Sequence, residues 1–336
     1  ADSLGLAVDA DSTVTSLSVG HITPVAILSG SSLSGGVTVT AGSLNLSEAG
    51  TLASSVEMNG GVLDLDESST VSGALTQSGD IGIDVATGMT LTYTGTAINV
   101  GANTLTLGGG GSLISGGVTL NNASSKLLLN SITLDSVSTT SDSLGLAVDN
   151  NSTITSLSVG HITPVSIADG AILSGGVAVT AGSLKLNDTG KLASTIAMSG
   201  GTLDIDESAP VTGTLSHTGD ITIDVATDKT LVYKGAAISV GANTLTLSGG
   251  GTLRNTNDLL LDNANSKLLL NSITLDSVST SADSLGLDVD NNSTITSLSV
   301  GHITPVSIAS GSILSGGVTV SAGSIKLNET GTLASN

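Results

Sequence analysis

Aspartate residues at matched positions are the first candidates for chemistry in this sequence of 336 residues. Asp66 precedes Asp84 by about the length of one short repeat, and Asp206 precedes Asp224 by the same separation in the next long repeat. Carboxylate groups close to one another repel unless a cation lies between them or one of them is protonated. Calcium prefers oxygen ligands of this kind. We therefore predict a weak calcium site at Asp66 with Asp84 and a second at Asp206 with Asp224, and no other cofactor.

This calcium hypothesis depends on the register of two strands. If Leu65 and Ile83 stack in adjacent coils of the chain, Asp66 lies beside Asp84, with the two carboxylates about 5 Å apart. Asn45 and Lys185 are not part of these pairs. We expect both at outward positions, one coil away from the aspartates. A surface ion pair of Lys185 would contribute at most about 1 kcal/mol to stability.

Histidine is the other residue type that could bind a metal. His21, His161 and His302 lie in identical Gly-His-Ile-Thr-Pro-Val segments. About seven coils at a spacing of about 4.8 Å would hold successive copies about 34 Å apart, so they cannot form one site. We expect polar corner residues beside a proline that sets the turn. His217 is solitary and its counterpart is Gln77, which predicts a solvated position.

The elements that position these residues belong to a long internal repeat. Nearly identical segments begin at Asp2, Asp142 and Asp283. They define long repeats over residues 2–141, 142–282 and, in part, 283–336, and one extra residue falls between Leu253 and Lys267. Self-similarity at a fixed period indicates a repeat architecture. We expect residues 1–336 to form one continuous domain without a linker.

A finer period lies inside each long repeat. The segments 37–39, 44–46 and 51–52 alternate apolar and polar residues, and similar trios return at regular intervals. Alternation of this kind is typical of half-buried strands, and 44 glycines disfavour long helices. The pattern predicts an all-β, right-handed parallel β-solenoid with three short strands per coil, about 20 residues per coil and roughly 17 coils, about 80 Å long.

Stacking is required because one coil cannot bury its own apolar side chains, whereas coils above and below it can. Comparison of the long repeats supports the strand phase, since inward positions change only among aliphatic residues, as in Leu44/Leu184/Ile325. Outward positions change freely. The stretch from 137 to 177 is less regular, and we expect two coils there, with inward residues Leu144, Leu146, Ile154, Val159, Ile162 and Val165.

Composition excludes several classes of partner. The chain has 28 acidic and 8 basic residues, a net charge of −20, which disfavours nucleic acids and anionic membranes. No apolar run approaches the length of about 20 residues that a spanning helix needs, so we expect no membrane insertion. Cysteine is absent, which fits both a reducing compartment and surface proteins without disulfides.

The run from Ser34 to Ser55, SGGVTVTAGSLNLSEAGTLASS, has echoes at Ser174 and Ser315, and GANTLTL occurs at Gly101 and Gly241. These segments resemble the strand repeats of bacterial autotransporter passengers and of filamentous-haemagglutinin-type giant adhesins. The resemblance covers the whole chain and rests on composition and rhythm. It implies a β-solenoid that is secreted or displayed on the cell surface, and it carries over no catalytic residue.

Two other function classes fit a β-solenoid. A polysaccharide-degrading enzyme would need paired acids, for which Asp80 with Asp84 and Asp220 with Asp224 are formal candidates. The chain has only two tyrosines, no Phe or Trp and one arginine to bind an acidic sugar, so we expect no enzyme activity. An ice-binding surface would need aligned Thr-x-Thr motifs, but Glu57 and Asp64 are expected to interrupt the motifs at residues 38–40, 90–92 and 104–106.

The sequence therefore predicts an extracellular or cell-surface protein that acts as a structural or adhesive repeat. Its expected partners are other copies of the chain, through end-to-end or lateral stacking, and a glycan on a host or cell surface. Open strand edges favour such pairing.

Overall fold

A computed structural model describes residues 4–335 of the chain, and the start of the first long repeat at Asp2 lies outside them. The chain divides into two compact units, unit 1 (Ala1–Pro164 with Gly170–Gly175) and unit 2 (Val165–Asp169 with Gly176–Asn336). Within residues 4–335 the fold is all-β without helix, and parallel strands in stacked coils of about 20 residues form a β-solenoid of about 16 turns. The predicted fold class is confirmed, with about one coil fewer than expected. The handedness and the single continuous domain stay predictions.

One strand of each coil belongs to the first sheet, which we call sheet 1. In unit 1 these strands are β1 (Leu6–Val8), β3 (Thr23–Ile27), β5 (Ser43–Leu46), β8 (Val62–Leu65), β11 (Ile81–Val85), β14 (Thr104–Gly108), β17 (Lys126–Asn130) and β19 (Gly145–Asn150). In unit 2 they are β23 (Ser183–Leu186), β26 (Thr202–Ile205), β29 (Ile221–Val225), β32 (Thr244–Ser248), β35 (Lys267–Asn271), β37 (Gly286–Asn291), β39 (Ile303–Ile308) and β41 (Ser324–Leu327). The boundary between the units falls within β21 (Ile162–Ile167).

The remaining strands belong to sheet 2. In unit 1 they are β2 (Ser12–Val19), β4 (Ser32–Val39), β6 (Thr51–Leu52), β7 (Ser55–Met58), β9 (Ser69–Val71), β10 (Leu75–Gln77), β12 (Thr90–Tyr93), β13 (Ile98–Asn99), β15 (Ser112–Ile114), β16 (Val118–Leu120), β18 (Thr133–Thr139) and β20 (Ser152–Val159). In unit 2 they are β24 (Lys191–Leu192), β25 (Thr195–Met198), β27 (Ala209–Val211), β28 (Leu215–His217), β30 (Thr230–Tyr233), β31 (Ile238–Ser239), β33 (Thr252–Asn255), β34 (Leu259–Leu261), β36 (Thr274–Thr280), β38 (Ser293–Val300), β40 (Ile313–Val320) and β42 (Thr332–Ser335). The unit boundary also crosses β22 (Ile172–Val179).

The number of strands per coil varies. A coil such as β5, β6 and β7 has the predicted three short strands, but other coils contain one long strand in sheet 2 instead of two short ones. The long strand β4 pairs with β6 through its first half and with β7 through its second half. The prediction of three strands is therefore wrong for the nearly identical repeated segments, where β2, β20 and β38 are each a single long strand. The strands β2, β20 and β38 themselves contain no glycine or proline.

The core consists of aliphatic side chains stacked in register from coil to coil. In sheet 1 of unit 1, one such row is Leu44, Leu63, Ile83, Leu107, Leu129 and Val148. The equivalent row in unit 2 is Leu184, Leu203, Ile223, Leu247, Leu270 and Val289. All of these side chains are at most 2% exposed. Burying each aliphatic side chain stabilises the fold by about 1.5–3 kcal/mol, and only the neighbouring coils provide that burial.

Two residues of the irregular stretch do not join the core. Leu144 is 57% exposed and Ile162 is 48% exposed, so the prediction that both point inward is wrong. Leu144 lies before β19, where Gly145 has a φ of 80° and changes the direction of the chain. Ile162 follows the corner residue His161. The other four predicted inward residues of this stretch are buried.

Among the described residues, no helix has the length and apolar character needed to cross a membrane.

Candidate functional site

The strand register places the aspartates differently from the sequence prediction. Asp84 pairs with Asp64 across β8 and β11, and Leu65 lies beside Val85 rather than Ile83. The expectation that Asp66 lies directly beside Asp84 is therefore wrong. The coil is longer than the stretch from Asp66 to Asp84, because the intervening sheet 2 strands and corners need more residues to bring the chain back to sheet 1.

The same correction applies to unit 2. Asp224 pairs with Asp204 across β26 and β29, and Asp206 lies beyond the paired position. In each unit the three aspartates belong to two adjacent coils, and two of them are register partners in sheet 1.

In unit 1, the amide of Asn45 connects two of the three aspartates. Asn45 lies one coil before Asp64 in register. Its Nδ2 donates to Asp64 Oδ2 at 2.9 Å and to Asp66 Oδ2 at 3.0 Å. Burial raises the pKa of Asp84, and the negative charges of Asp64 and Asp66 raise it further. We call Asp64, Asp66 and Asp84 the unit 1 carboxylate cluster.

In unit 2, a lysine ammonium takes the place of the asparagine amide. Lys185 pairs in register with Asp204, and its Nζ lies 3.0 Å from Asp204 Oδ2 and 2.7 Å from Asp206 Oδ2. The hydrogen bond to Asp206 raises the pKa of Lys185 most, the interactions with Asp204 add to this, and partial burial opposes it. The expected pairing of Lys185 with Asp204 is confirmed, and Asp206 is a second partner.

The surroundings of Asp84 differ from those of Asp224. A surface cavity of about 120 Å³ borders Asp84 and is lined by Val62, Gly82, Ile83, Thr106, Gly108 and Asn130. In unit 2, Thr222 and Ser248 stand where unit 1 has Gly82 and Gly108. The Ser248 hydroxyl donates a short hydrogen bond to Asp224. Both replacements are visible when the sequences of the long repeats are compared, so the sequence alone could have revealed this difference.

No three or more His, Cys, Asp or Glu side chains within residues 4–335 are grouped so as to hold a metal ion. Calcium at Asp66 with Asp84 and at Asp206 with Asp224 stays a prediction, now with Asp64 and Asp204 as the nearer partners. The comparison of the units shows that a cation, the Lys185 ammonium, already lies between two of the unit 2 carboxylates.

The corner histidines are partly exposed, as predicted. His161 Nδ1 lies 3.7 Å from Asp142 Oδ1, and His302 Nδ1 lies 3.7 Å from Asp283 Oδ1. The side chains of these two histidines are 45% and 44% exposed. In the first copy, His21 is also exposed. Each histidine therefore has a local corner environment.

The prediction of a solvated His217 is wrong. Its register partner is the buried Met198, so the residue occupies an inward row at the corner of the coil. Nδ1 lies 2.9 Å from the carbonyl oxygen of Gly219, while Nε2 is buried without a hydrogen-bond partner. In unit 1, Gln77 likewise has a buried Oε1 without a partner.

The formal catalytic candidates have structural roles. Asp80 Oδ1 accepts a hydrogen bond from the Thr104 amide, and Asp220 Oδ1 accepts the equivalent bond from Thr244, both at 2.7 Å. These contacts join successive coils.

Both tyrosines are buried. Tyr93 is 4% exposed and Tyr233 is 1% exposed. Their hydroxyls accept hydrogen bonds from the backbone amides of Leu75 and Leu215. Burial also raises the pKa of Tyr233. Because the chain has no Phe or Trp, neither unit presents an aromatic ring on which a sugar could stack.

The Thr-x-Thr motifs lie on different surfaces. Residues 104–106 belong to β14 in sheet 1, whereas residues 38–40 and 90–92 are in or next to β4 and β12 of sheet 2. Thr38 lies beside Glu57 in the next coil, and Thr92 lies between Thr70 and Ile114. The three motifs therefore do not form one aligned array.

No family model, no curated protein and no solved structure matches this chain.

Proposed function

We propose that the chain is a structural or adhesive repeat segment of an extracellular or cell-surface protein. The type of protein is that of bacterial autotransporter passengers and filamentous-haemagglutinin-type adhesins, whose strand repeats the sequence resembles. The observation that carries this proposal is that residues on the inward and outward sides of each strand vary differently between the long repeats. The inward rows of aliphatic residues stay aliphatic between the long repeats, whereas several outward positions change in chemical type.

Residues at one outward row illustrate the exchange. Leu44 and Leu184 are both 1% exposed, and the position that follows them changes from Asn45 to Lys185. Likewise, Thr51 is exchanged for Lys191. Some outward residues, such as Asp80 and Asp220, are kept and join successive coils, so the feature common to the long repeats is the coil itself.

Repeated exposed apolar residues support an adhesive role. Leu144 and Ile162 lie in successive coils of unit 1, where the Ser143 amide donates to the Ile162 carbonyl oxygen at 3.4 Å. The pair recurs as Leu285 (54% exposed) and Ile303 (49% exposed). Large contiguous areas of exposed apolar surface typically mark interaction sites, and in this proposal the repeated residues contribute to such an area. Weak contacts of this kind gain strength when several act together on one surface.

Two alternatives receive less support. A polysaccharide-degrading enzyme would use Asp80 and Asp220, which are engaged in hydrogen bonds between coils, and would lack an exposed aromatic ring. An ice-binding surface would need the three Thr-x-Thr motifs on one face. A reducing-sugar assay on acidic glycans and a thermal-hysteresis measurement test these activities directly, and we expect neither activity.

Adhesion is tested with beads that carry many copies of the chain. We expect the beads to be retained on cells or on a glycan-coated surface, and we expect retention to fall in a variant with Leu144→Ser and Leu285→Ser. A matched control with Thr76→Ser, an exposed position of sheet 2, should be retained like the unmodified chain. Equal retention of both variants, or none by the unmodified chain, would contradict the adhesive role.

A purely structural role predicts self-association without a receptor. Analytical ultracentrifugation and electron microscopy of the chain at increasing concentration measure end-to-end or lateral association. Filaments that form without retention on any surface would support a structural repeat. A monomer at all concentrations, together with no retention, would contradict both forms of the proposal.

A further inference from the structure

The corner between β7 and β8 contains Asn59-Gly60, which is the only Asn-Gly pair in the sequence. It follows Met58, the last residue of β7, and precedes Val62, the first residue of β8. Asn59 is exposed. Because glycine has no Cβ atom, its backbone nitrogen can approach the side-chain carbonyl carbon of Asn59 without steric hindrance. The pair therefore brings together an electrophilic carbon and a nitrogen nucleophile.

The backbone nitrogen of Gly60 takes no part in the hydrogen bonds that join the coils at this corner. The Asn59 amide donates to the Val39 carbonyl oxygen at 2.8 Å, and the Val62 amide donates to the Gly42 carbonyl oxygen at 3.0 Å. Within residues 4–335, no hydrogen bond from the Gly60 amide is found. The Gly60 nitrogen can therefore react without the loss of a hydrogen bond between coils.

The side-chain carbonyl of Asn59 has a hydroxyl donor in the next coil. β10 pairs with β7, with Gln77 beside Met58, so Ser78 follows at the position beside Asn59. The Ser78 hydroxyl donates a short hydrogen bond to Asn59 Oδ1. A donor that already points at a carbonyl oxygen stabilises the negative charge that develops there when the carbon is attacked. Asn59 and Ser78 are both exposed, so water reaches the site.

Unit 2 does not have this combination of residues. The counterparts of Asn59-Gly60 are Ser199-Gly200, and the counterpart of Ser78 is Thr218. Unit 2 therefore keeps a hydroxyl at the donor position but has no side-chain amide to react. Its residues also supply matched replacements for an experiment.

We propose that Asn59 is a site of spontaneous deamidation, with the Gly60 nitrogen as the nucleophile and the Ser78 hydroxyl as the donor to the developing oxyanion. Hydroxide removes the Gly60 amide proton, the Gly60 nitrogen forms a bond to Asn59 Cγ, and the bond from Cγ to Nδ2 breaks. Nδ2 takes up a proton from water and leaves as ammonia. Water then opens the succinimide ring at either carbonyl carbon, which gives aspartate or isoaspartate. An intramolecular attack benefits from the proximity of the two groups.

The two products change the corner in different ways. Aspartate adds a negative charge to unit 1. Isoaspartate carries the main chain through the former side chain of Asn59, which adds a carbon atom to the backbone between β7 and β8. Either change accumulates with the age of the protein and has no equivalent at the matching corner of unit 2. This modification site goes beyond the proposed structural or adhesive role and does not depend on it.

The test is incubation of the full chain at mildly alkaline pH, with proteolysis and mass spectrometry of samples taken at intervals. Circular dichroism checks that the chain stays folded throughout. We expect Asn59 to be deamidated faster than any other asparagine of the chain, with both aspartate and isoaspartate among the products. The rate should rise with pH, because hydroxide removes the Gly60 amide proton.

Three variants separate the roles of the residues. Ser78→Ala removes the donor, and we expect deamidation at Asn59 to slow about tenfold, as for the loss of one hydrogen bond. Ser78→Thr keeps a hydroxyl, as Thr218 does in unit 2, and we expect the rate to be retained. Asn59→Ser introduces the residue of unit 2 and should leave this corner unmodified, while the other asparagines react as before.

Three results would overturn the proposal. The first is a rate at Asn59 no higher than at the other asparagines. The second is a rate in Ser78→Ala that is not lower than in the unmodified chain and in Ser78→Thr. The third is a product that contains aspartate without isoaspartate, which would indicate direct hydrolysis of the side-chain amide instead of a succinimide.

Discussion

Two adjacent glycines in β4 provide a sharp test of the coil geometry. Gly35 has a φ of 115°, and a Cβ atom there would lie 1.7 Å from the carbonyl oxygen of Val14 in the preceding coil. At Gly36, the nearest atom to such a Cβ is the carbonyl oxygen of Thr15 at 3.4 Å, and φ is not positive. The pairing of β2 with β4 is irregular at this corner, between Val14 and Leu17. Glycine in a strand commonly marks such a point.

The two Gly→Ala substitutions should therefore have very different effects. For Gly35→Ala, backbone strain at positive φ costs about 1–3 kcal/mol, and displacement of the packed neighbouring strand costs about 1–3 kcal/mol more. We expect a loss of about 2–6 kcal/mol in the free energy of unfolding. For Gly36→Ala, the contact is ordinary and the unfolded chain loses entropy, so we expect a change within about 1 kcal/mol of zero.

Urea denaturation followed by circular dichroism measures both changes. Because solenoids can open locally, hydrogen exchange of the β4 amides is the second readout. Gly316→Ala in unit 2 serves as a replicate, since Gly316 has a φ of 118° and a Cβ there would lie 1.8 Å from the Ile295 carbonyl oxygen. Equal effects of Gly35→Ala and Gly36→Ala, or a loss below about 1 kcal/mol for Gly35→Ala, would refute the strand arrangement at this corner.

Three further predictions concern the core and the carboxylates. Leu63→Ala removes a fully buried side chain stacked between Leu44 and Ile83. We expect a loss of about 2–5 kcal/mol in urea denaturation, and a loss below about 1 kcal/mol would contradict the stacked core. The raised pKa of Asp84 means that the folded state retains this proton to a higher pH than the unfolded chain, so stability falls as pH rises through that range. Asp84→Asn should therefore raise Tm at pH 7, and the gain should disappear at about pH 3, below the unfolded pKa of about 3.9; an equal gain at both pH values would contradict this. For the calcium hypothesis, we expect EDTA to lower Tm and added calcium to restore it, and a Tm that EDTA leaves unchanged would contradict the metal sites.

The fold was predictable because its determinants repeat in the sequence. The alternation of apolar residues predicted which side of each strand faces inward, and aliphatic exchanges such as Leu184 to Ile325 supported this assignment. The same comparison placed Asn45 and Lys185 one coil from an aspartate. These conclusions need only the period of the strand and the absence of residues that favour helices.

The parts that the sequence did not predict depend on the corners between strands. One coil runs from Asp64 to Asp84, which is longer than the stretch from Asp66 to Asp84 that the sequence suggested. A count of residues along the chain cannot distinguish corner residues from strand residues. The exposure of Leu144 follows from the positive φ of the next glycine. The inward position of His217 follows from the alternation of inward and outward residues along β28. The sequence did not reveal this position, because a polar residue there suggested exposure to solvent.

The register between Asp64 and Asp84 is the most direct test of the stacked-coil arrangement. The chain has no cysteine, so a pair of introduced cysteines can form only one intramolecular disulfide. Register partners on adjacent strands are about 4.8 Å apart, within the Cα separation that a disulfide needs, whereas a residue two positions further along is about 8 Å away. We predict that the variant with Asp64→Cys and Asp84→Cys forms the disulfide under mild oxidation, as measured by mass spectrometry, and that the variant with Asp66→Cys and Asp84→Cys does not. A disulfide in the second variant but not in the first would contradict the account.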